Sequence, residues 1–279
     1  MSTAVWTPRL ELDCLAEKAL EGAVGFWFVV TVIGQGAFFY YLAAFYGATT
    51  LHGNIQAWTK NVFPVHSYAR GDTGGNLAFG AHVFFVAAFA FSGAIQLLPQ
   101  IRKRALSVHR WNGRFFALTA LGISVSGLYL KFVRERADIL NPYNFSLILN
   151  ALFIIAFLAL AWRSAVAHQI STHRRWALRA YVVANGQWFF RAGFFAWLII
   201  NRGPVGIGKN FDGPFILIWS FGCYLLPLLV LELYLRAKKS GKSSARFAMA
   251  GGLVVLTLLM GAGVVGVAAG MWWPTLARL

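Results

Sequence analysis

Seven stretches of this chain stay apolar for twenty residues or so, the length a helix needs to cross the hydrocarbon core of a bilayer. They run over roughly 22–46, 77–98, 113–133, 144–166, 178–201, 214–236 and 247–271. Composition agrees. Of the 279 residues, 58% are hydrophobic and 12% charged, with a mean hydropathy of +0.61, whereas a soluble domain carries about a quarter charged residues. The expected fold class is all-α: a polytopic helical membrane protein of about seven transmembrane helices, with a four-helix core made by spans two to five.

Three regions follow from this pattern. Residues 1–21 form an N-terminal tail, 22–236 a six-span membrane domain, and 237–279 a basic loop with a glycine-rich seventh span. The tail holds Arg9, Glu11, Asp13, Glu17, Lys18 and Glu21, which does not fit the basic start and short apolar core of a signal peptide. Thr7-Pro8 reads as a helix start. Leu12, Leu15, Ala16 and Ala19 then share one face. The segment is either an amphipathic helix lying on the membrane or an extension of the first span.

The net charge of +16 is concentrated in short connections. Segments 99–114, 163–179 and 236–246 carry Arg102, Lys103, Arg104, Arg110, Arg114, Arg163, Arg174, Arg175, Arg179, Arg236, Lys238, Lys239, Lys242 and Arg246 with no acid among them. Alternate loops of this kind face the cytoplasm. The expected location is the bacterial inner membrane, with the N-terminus cytoplasmic and the C-terminus periplasmic or extracellular. No soluble domain remains to hold nucleic acid, so no nucleic-acid partner is expected. Membrane lipids are, with Arg102, Arg104, Arg110, Arg174 and Arg175 as headgroup contacts. Cys14 and Cys223 share no spacing that points to a metal, a redox pair or a disulfide.

Two of the basic segments echo one another. His109-Arg110-Trp111 with Arg114 is matched by His173-Arg174-Arg175-Trp176 with Arg179. If the runs are spans, both clusters sit at one face of the bilayer, where His168 also lies. A b-type haem needs two such imidazoles on neighbouring helices, with arginines for its propionates. His109 and His173 are the candidate iron ligands, and Arg114, Arg179 and Arg191 the candidates for anionic groups. The competing reading has these side chains binding lipid phosphates and satisfying helix ends.

Arg191 is the one charge near the middle of a span. A guanidinium there costs about 2.5–3.5 kcal/mol on insertion scales, so it must face the interior with a partner. Gln187 and Asn185 precede it, and no carboxylate lies deep in any span; Glu232 is near the end of the sixth. Carbonyls, His82 or the anionic group of a ligand are the expected partners. His82, inside the second span, is otherwise a core histidine; sharing a metal with His52 or His66 is the less favoured alternative.

The 47–76 connection holds His52, Trp58, Phe63-Pro64, His66 and Tyr68, and thirty residues is long for a passive loop. It either caps the bundle or binds a partner. The last span is rich in glycine, with a Gly266–Gly270 pair that permits close helix approach, so a partner membrane protein docking through the first or last span is expected.

His82, Gln96 with Pro99 and Arg102, His109-Arg110 with Gly113-Arg114, His173-Arg174-Arg175-Trp176 with Arg179, and Arg191 form an ordered pattern. It resembles the bacterial predicted membrane proteins grouped as domain-of-unknown-function family 2306, over about residues 77–200. The resemblance implies no activity. Its four-helix core is similar in outline to membrane b-type cytochromes, an analogy of architecture.

Three roles stay open. The first is a haem b- or quinone-associated redox or accessory subunit of an energy-converting complex. The second is a non-enzymatic scaffold or assembly subunit binding lipid and a partner membrane protein. The third is a small-molecule or lipid transporter with Arg191 as its binding charge. No nucleophile–base pair or carboxylate pair is visible, so no independent catalysis is expected.

Overall fold

The computed structural model describes residues 8–62 and 67–279, so Thr7, Phe63-Pro64 and His66 lie outside the described residues. Among the described residues every regular element is helical. The long helices are α1 (Pro8–Leu42), α2 (Thr73–Leu97), α3 (Leu106–Leu128), α4 (Pro142–Val166), α5 (Ile170–Ala184), α6 (Gly186–Asn201), α7 (Pro214–Lys239) and α8 (Ser243–Val267). Among the described residues six segments are long and apolar enough to cross a membrane: Glu11–Leu51, Thr73–Leu97, Leu106–Arg134, Pro142–Val166, Pro214–Lys239 and Ser243–Leu276.

The run expected as a fifth continuous span at 178–201 is instead a broken helix, α5 then α6, meeting at Asn185. The two halves continue in one direction. Arg179 meets Glu232 near the end of α7, and Trp197 stacks on Phe215 at its start. Together they cover the same depth as α7. The segment 8–21 also resolves: α1 runs unbroken from Pro8 into the first apolar run, so the N-terminal helix is an extension of that span.

Helix boundaries follow local chemistry. Asp72 caps α2, its carboxylate accepting from the Gly75 N–H at 2.8 Å. Asn141 accepts from the Tyr143 N–H at 3.0 Å ahead of Pro142, whose fixed φ suits a first helical position. α4 and α6 end where His168 (φ 56°) and Arg202 (φ 53°) turn left-handed, which frees the chain to reverse.

α2 pairs closely with α3, α4 with α5, and α8 with both α1 and α6. The glycines of α8 and of the helical turn 268–272 that continues it serve that last seam. A methyl on Gly263 would overlap the Ala192 carbonyl of α6, and methyls on Gly266 or Gly270 would press on Phe195. The small-residue face of the last span is therefore used within the chain. Around it lies a core of aromatic rings, in which Phe38, Tyr41 and Trp272 stack with centroids 5.3–6.3 Å apart.

The long connection caps this core. Trp58 is 4% exposed, packs on Tyr46 and Phe79, and donates from Nε1 to Thr49 at 3.1 Å. Val62 N–H reaches Thr275 Oγ1 beyond α8. His52 stays exposed, its ring bonded to the Ala48 carbonyl of its own turn.

At this same end Arg134 donates to Asp72 at 2.7 Å and to Asn76 at 3.0 Å, clasping the end of the third span to the start of α2. The Gly75 N–H, and then the Arg134 guanidinium, hold the Asp72 carboxyl below the usual carboxylate range. A depressed acid stabilises the fold above its unfolded pKa and loses that contribution as pH falls through the folded value. The melting temperature of purified protein should thus fall on acidification below about pH 4, and less steeply in Asp72→Asn. Gly263→Ala should cost about 1–3 kcal/mol by overpacking. Gly251→Ala, where nothing lies within 4 Å of the added carbon, should be neutral or mildly stabilising by thermal unfolding.

Candidate functional site

The break between α5 and α6 comes from Asn185-Gly186, a weak pair for helix continuation. The Asn185 side chain enters the helical ladder, Nδ2 donating to the Tyr181 carbonyl at 2.8 Å. Its Oδ1 accepts from Gln35 of α1 at 2.5 Å, and Gln35 Nε2 also lies 3.5 Å from Tyr181 Oη. Asn150 of α4 presses on Gly186 from another side. Gln35 and Asn185 are each 2% exposed and Asn150 5%. The interruption is thus satisfied by its own Tyr181 carbonyl and by Gln35 of α1, with Asn150 of α4 packed beside it, as an apolar surrounding requires.

Six residues past the break, about 9 Å along α6 at 1.5 Å per residue, stands Arg191. Its Nη1 donates to the Gln187 carbonyl at 2.8 Å, and the guanidinium carbon lies 5.7 Å from the centre of the Phe38 ring. Among the described residues no carboxylate forms an ion pair with it. The polar groups within its electrostatic reach are phenols and an imidazole: Tyr143, Tyr41, Tyr46 and His82. Asn61 from the capping connection donates to Tyr41 Oη at 2.7 Å and to Tyr46 Oη at 2.8 Å. His82 holds Ser126 Oγ at 2.9 Å. A carbonyl and His82 were both expected near Arg191; the three phenols were not.

The other candidates lie at the opposite, basic end, so the six proposed cofactor residues form two separate groups. His173 Nδ1 donates to the Ala161 carbonyl at 2.9 Å; a carbonyl can only accept, which places the proton on Nδ1. His109 lies within electrostatic reach of His173 and Arg102, and its buried Nδ1 has no hydrogen-bond partner. Arg179 is committed elsewhere, gripping Glu232 of α7 with two bonds of 2.6 and 3.0 Å. Arg114 lies over Trp111 at 4.7 Å and Arg179 over Trp176 at 4.6 Å. The echo read in the sequence is thus one device made twice, an arginine stacked three residues after a tryptophan. Arg102, Arg104, Arg110, Arg174 and Arg175 are all exposed around this end.

A family described as predicted membrane protein, DUF2306, matches residues 79–235, more than half of the chain. The chain belongs to the DUF2306 family. The match extends past residue 200 to take in α7. No curated protein and no solved structure matches the chain.

The DUF2306 segment supplies Arg191, His82 and Tyr143, while Tyr41, Tyr46 and Asn61 come from outside it. Gln96 and Gly113, part of the pattern that carried the resemblance, join α2 to α3. Asn112 donates to Gln96 Oε1 and to the Ser92 carbonyl, both at 2.9 Å, and Gly113 leaves room for the Gln96 amide. Sequence reasoning missed the tyrosines, which look like ordinary apolar-run residues. It also missed the helix break, although Asn-Gly inside an apolar run was a readable turn signal.

Glu232→Gln should weaken the α5–α7 junction by about 1–2 kcal/mol, between the worth of exposed and buried pairs. Adding Arg179→Gln should cost less than the sum of the two single changes, read by thermal unfolding as a double-mutant cycle.

Proposed function

We propose that this protein binds a small organic anion inside its helical bundle, with Arg191 as the counter-charge, and carries it across the membrane. One observation supports this above the rest: a guanidinium in the interior of the bundle with a single carbonyl partner and three tyrosine phenols within its electrostatic reach. A carboxylate or phosphate group bound there meets two unused faces of the guanidinium fork and donors from tyrosine. The adjacent broken helix supports the same reading, since discontinuous helices build the substrate sites of many carriers. His82, on Ser126, adds a further polar group.

The basic end is read as cytoplasmic on the positive-inside bias, which puts the N-terminus inside and the C-terminus outside a bacterial inner membrane. Exposed Cys14 reports on this, because the other cysteine, Cys223, is buried. A membrane-impermeant maleimide should label Cys14 in inverted vesicles and spare it in intact cells; the opposite pattern reverses the orientation.

The anion reading separates cleanly from a structural role for Arg191. Arg191→Met removes a charge that costs about 2.5–3.5 kcal/mol to embed, so the ligand-free variant should be at least as stable as wild type. In a panel of small carboxylates and phosphate esters, some should raise the wild-type melting temperature and drive uptake into proteoliposomes. None should do either with Arg191→Met. A destabilised variant, together with a panel that leaves wild type unmoved, would make Arg191 a structural residue.

A second reading, haem b at His109 and His173, is favoured by one observation. His173 donates a hydrogen bond from Nδ1 to a carbonyl and keeps Nε2 free for a metal, the usual orientation of a ligating histidine. A reduced-minus-oxidised optical spectrum of the purified protein should then show a sharp band pair that His173→Ala abolishes. A flat spectrum removes this reading.

A further inference from the structure

At the basic end, α1, α5, α7 and α8 border a half-open cavity of about 250 Å³ lined by Glu17, Leu20, Glu21, Val24, Arg174, Tyr234, Lys238 and Arg246. Two features set it apart. Its wall carries two carboxylates and three cations, yet among the described residues none of these carboxylates forms an ion pair with any of the cations. Arg246 bonds the Ser240 carbonyl at 2.9 Å, and Lys238 lies 6.0 Å from the Tyr234 ring centre. The charges are also sorted by element: Glu17 and Glu21 are one turn apart on α1, while the cations come from α5, α7 and α8.

Opposite charges kept apart across one small cavity suit a ligand that is itself a dipole. We propose that this cavity seats the phosphoethanolamine group of a membrane phospholipid, its phosphate toward Arg174, Lys238 and Arg246 and its ammonium toward Glu17 and Glu21. The volume is below the 300–1,000 Å³ of drug-sized pockets, which fits a headgroup. A primary ammonium donates three hydrogen bonds to carboxylates; a quaternary choline donates none, and a glycerol headgroup brings no positive charge. The lipid source, as opposed to the free headgroup, follows from the floor. Leu20 and Val24 make that floor apolar where the cavity meets the membrane-spanning stretches of α1 and α8, the level at which a lipid headgroup sits with its acyl chains in the bilayer. The site is remote in sequence and element from Arg191 and independent of the transport reading.

The test is native mass spectrometry of the delipidated, detergent-purified full chain titrated with short-chain phosphatidylethanolamine, phosphatidylcholine and phosphatidylglycerol. Wild type should retain the ethanolamine lipid about tenfold over the other two, a difference of about 1.4 kcal/mol. Glu17→Gln with Glu21→Gln should bring ethanolamine and glycerol lipids to parity. Arg174→Gln with Lys238→Gln should lose both. Far-UV circular dichroism confirms that each variant is folded, and Arg191→Met serves as a folded control that keeps the preference. Equal retention of all three lipids by wild type overturns the proposal, as does an unchanged ethanolamine preference in the folded glutamate variant. Soluble O-phosphoethanolamine binding as tightly as the lipid overturns the lipid source.

Discussion

A helix that stops and restarts inside an apolar bundle has to find partners for its interruption among its own neighbours, because no water is there to supply them. In this protein that condition is met at Asn185, through the Tyr181 carbonyl on its own helix and Gln35 on α1. The rest of the arrangement depends on it. The break lets α5 keep its bidentate hold on Glu232 at the basic end while α6 takes its own course through the aromatic core. Arg191 rides on α6, and its setting among Phe38, Tyr41, Tyr46 and Tyr143 follows from where that half-helix begins.

How far the amino-acid sequence reveals this varies with the physics of each feature. Hydropathy reads spans well, because crossing a bilayer imposes length and apolarity on each run alone. Six runs and the helical class were legible for that reason. The double cluster of His, Arg and Trp was legible as a repeat, but its use was not. That Trp111 and Trp176 each lie under an arginine is local, three residues apart; that Arg179 belongs to Glu232 depends on two helices meeting. Arg191 announced itself as an improbable charge. Its phenolic surroundings did not, since tyrosine in an apolar run is unremarkable until the fold turns four of its elements toward one point.

The two ends of the bundle use charge in contrasting ways. At the basic end guanidinium groups are numerous and mostly exposed, two of them stacked on tryptophan and one of those two also gripping a carboxylate. In the interior Arg191 is half-buried and bonded to a neutral carbonyl oxygen. Exposed cations cost little to maintain and recruit anionic surfaces, whereas an embedded one is costly and persists only for a reason. That contrast, more than residue type, separates a membrane-facing surface from an interior site.

The glycine seam between α6 and α8 has a mechanical consequence. With Gly263 against the Ala192 backbone, and Gly266 and Gly270 receiving the Phe195 side chain, the seam meets main chain to main chain at one point and keys one ring into glycine gaps at the next two. Sliding or axial rotation of one against the other would drive the Ala192 carbonyl or the Phe195 ring into a neighbouring side chain, so the close-packed seam favours joint movement. Gly34 brings α1 into the same body, packed on Trp188 and Val264. The half-helix that carries Arg191 is consequently the inner edge of a three-helix block, and its displacements are inherited by the first and last long helices of the chain.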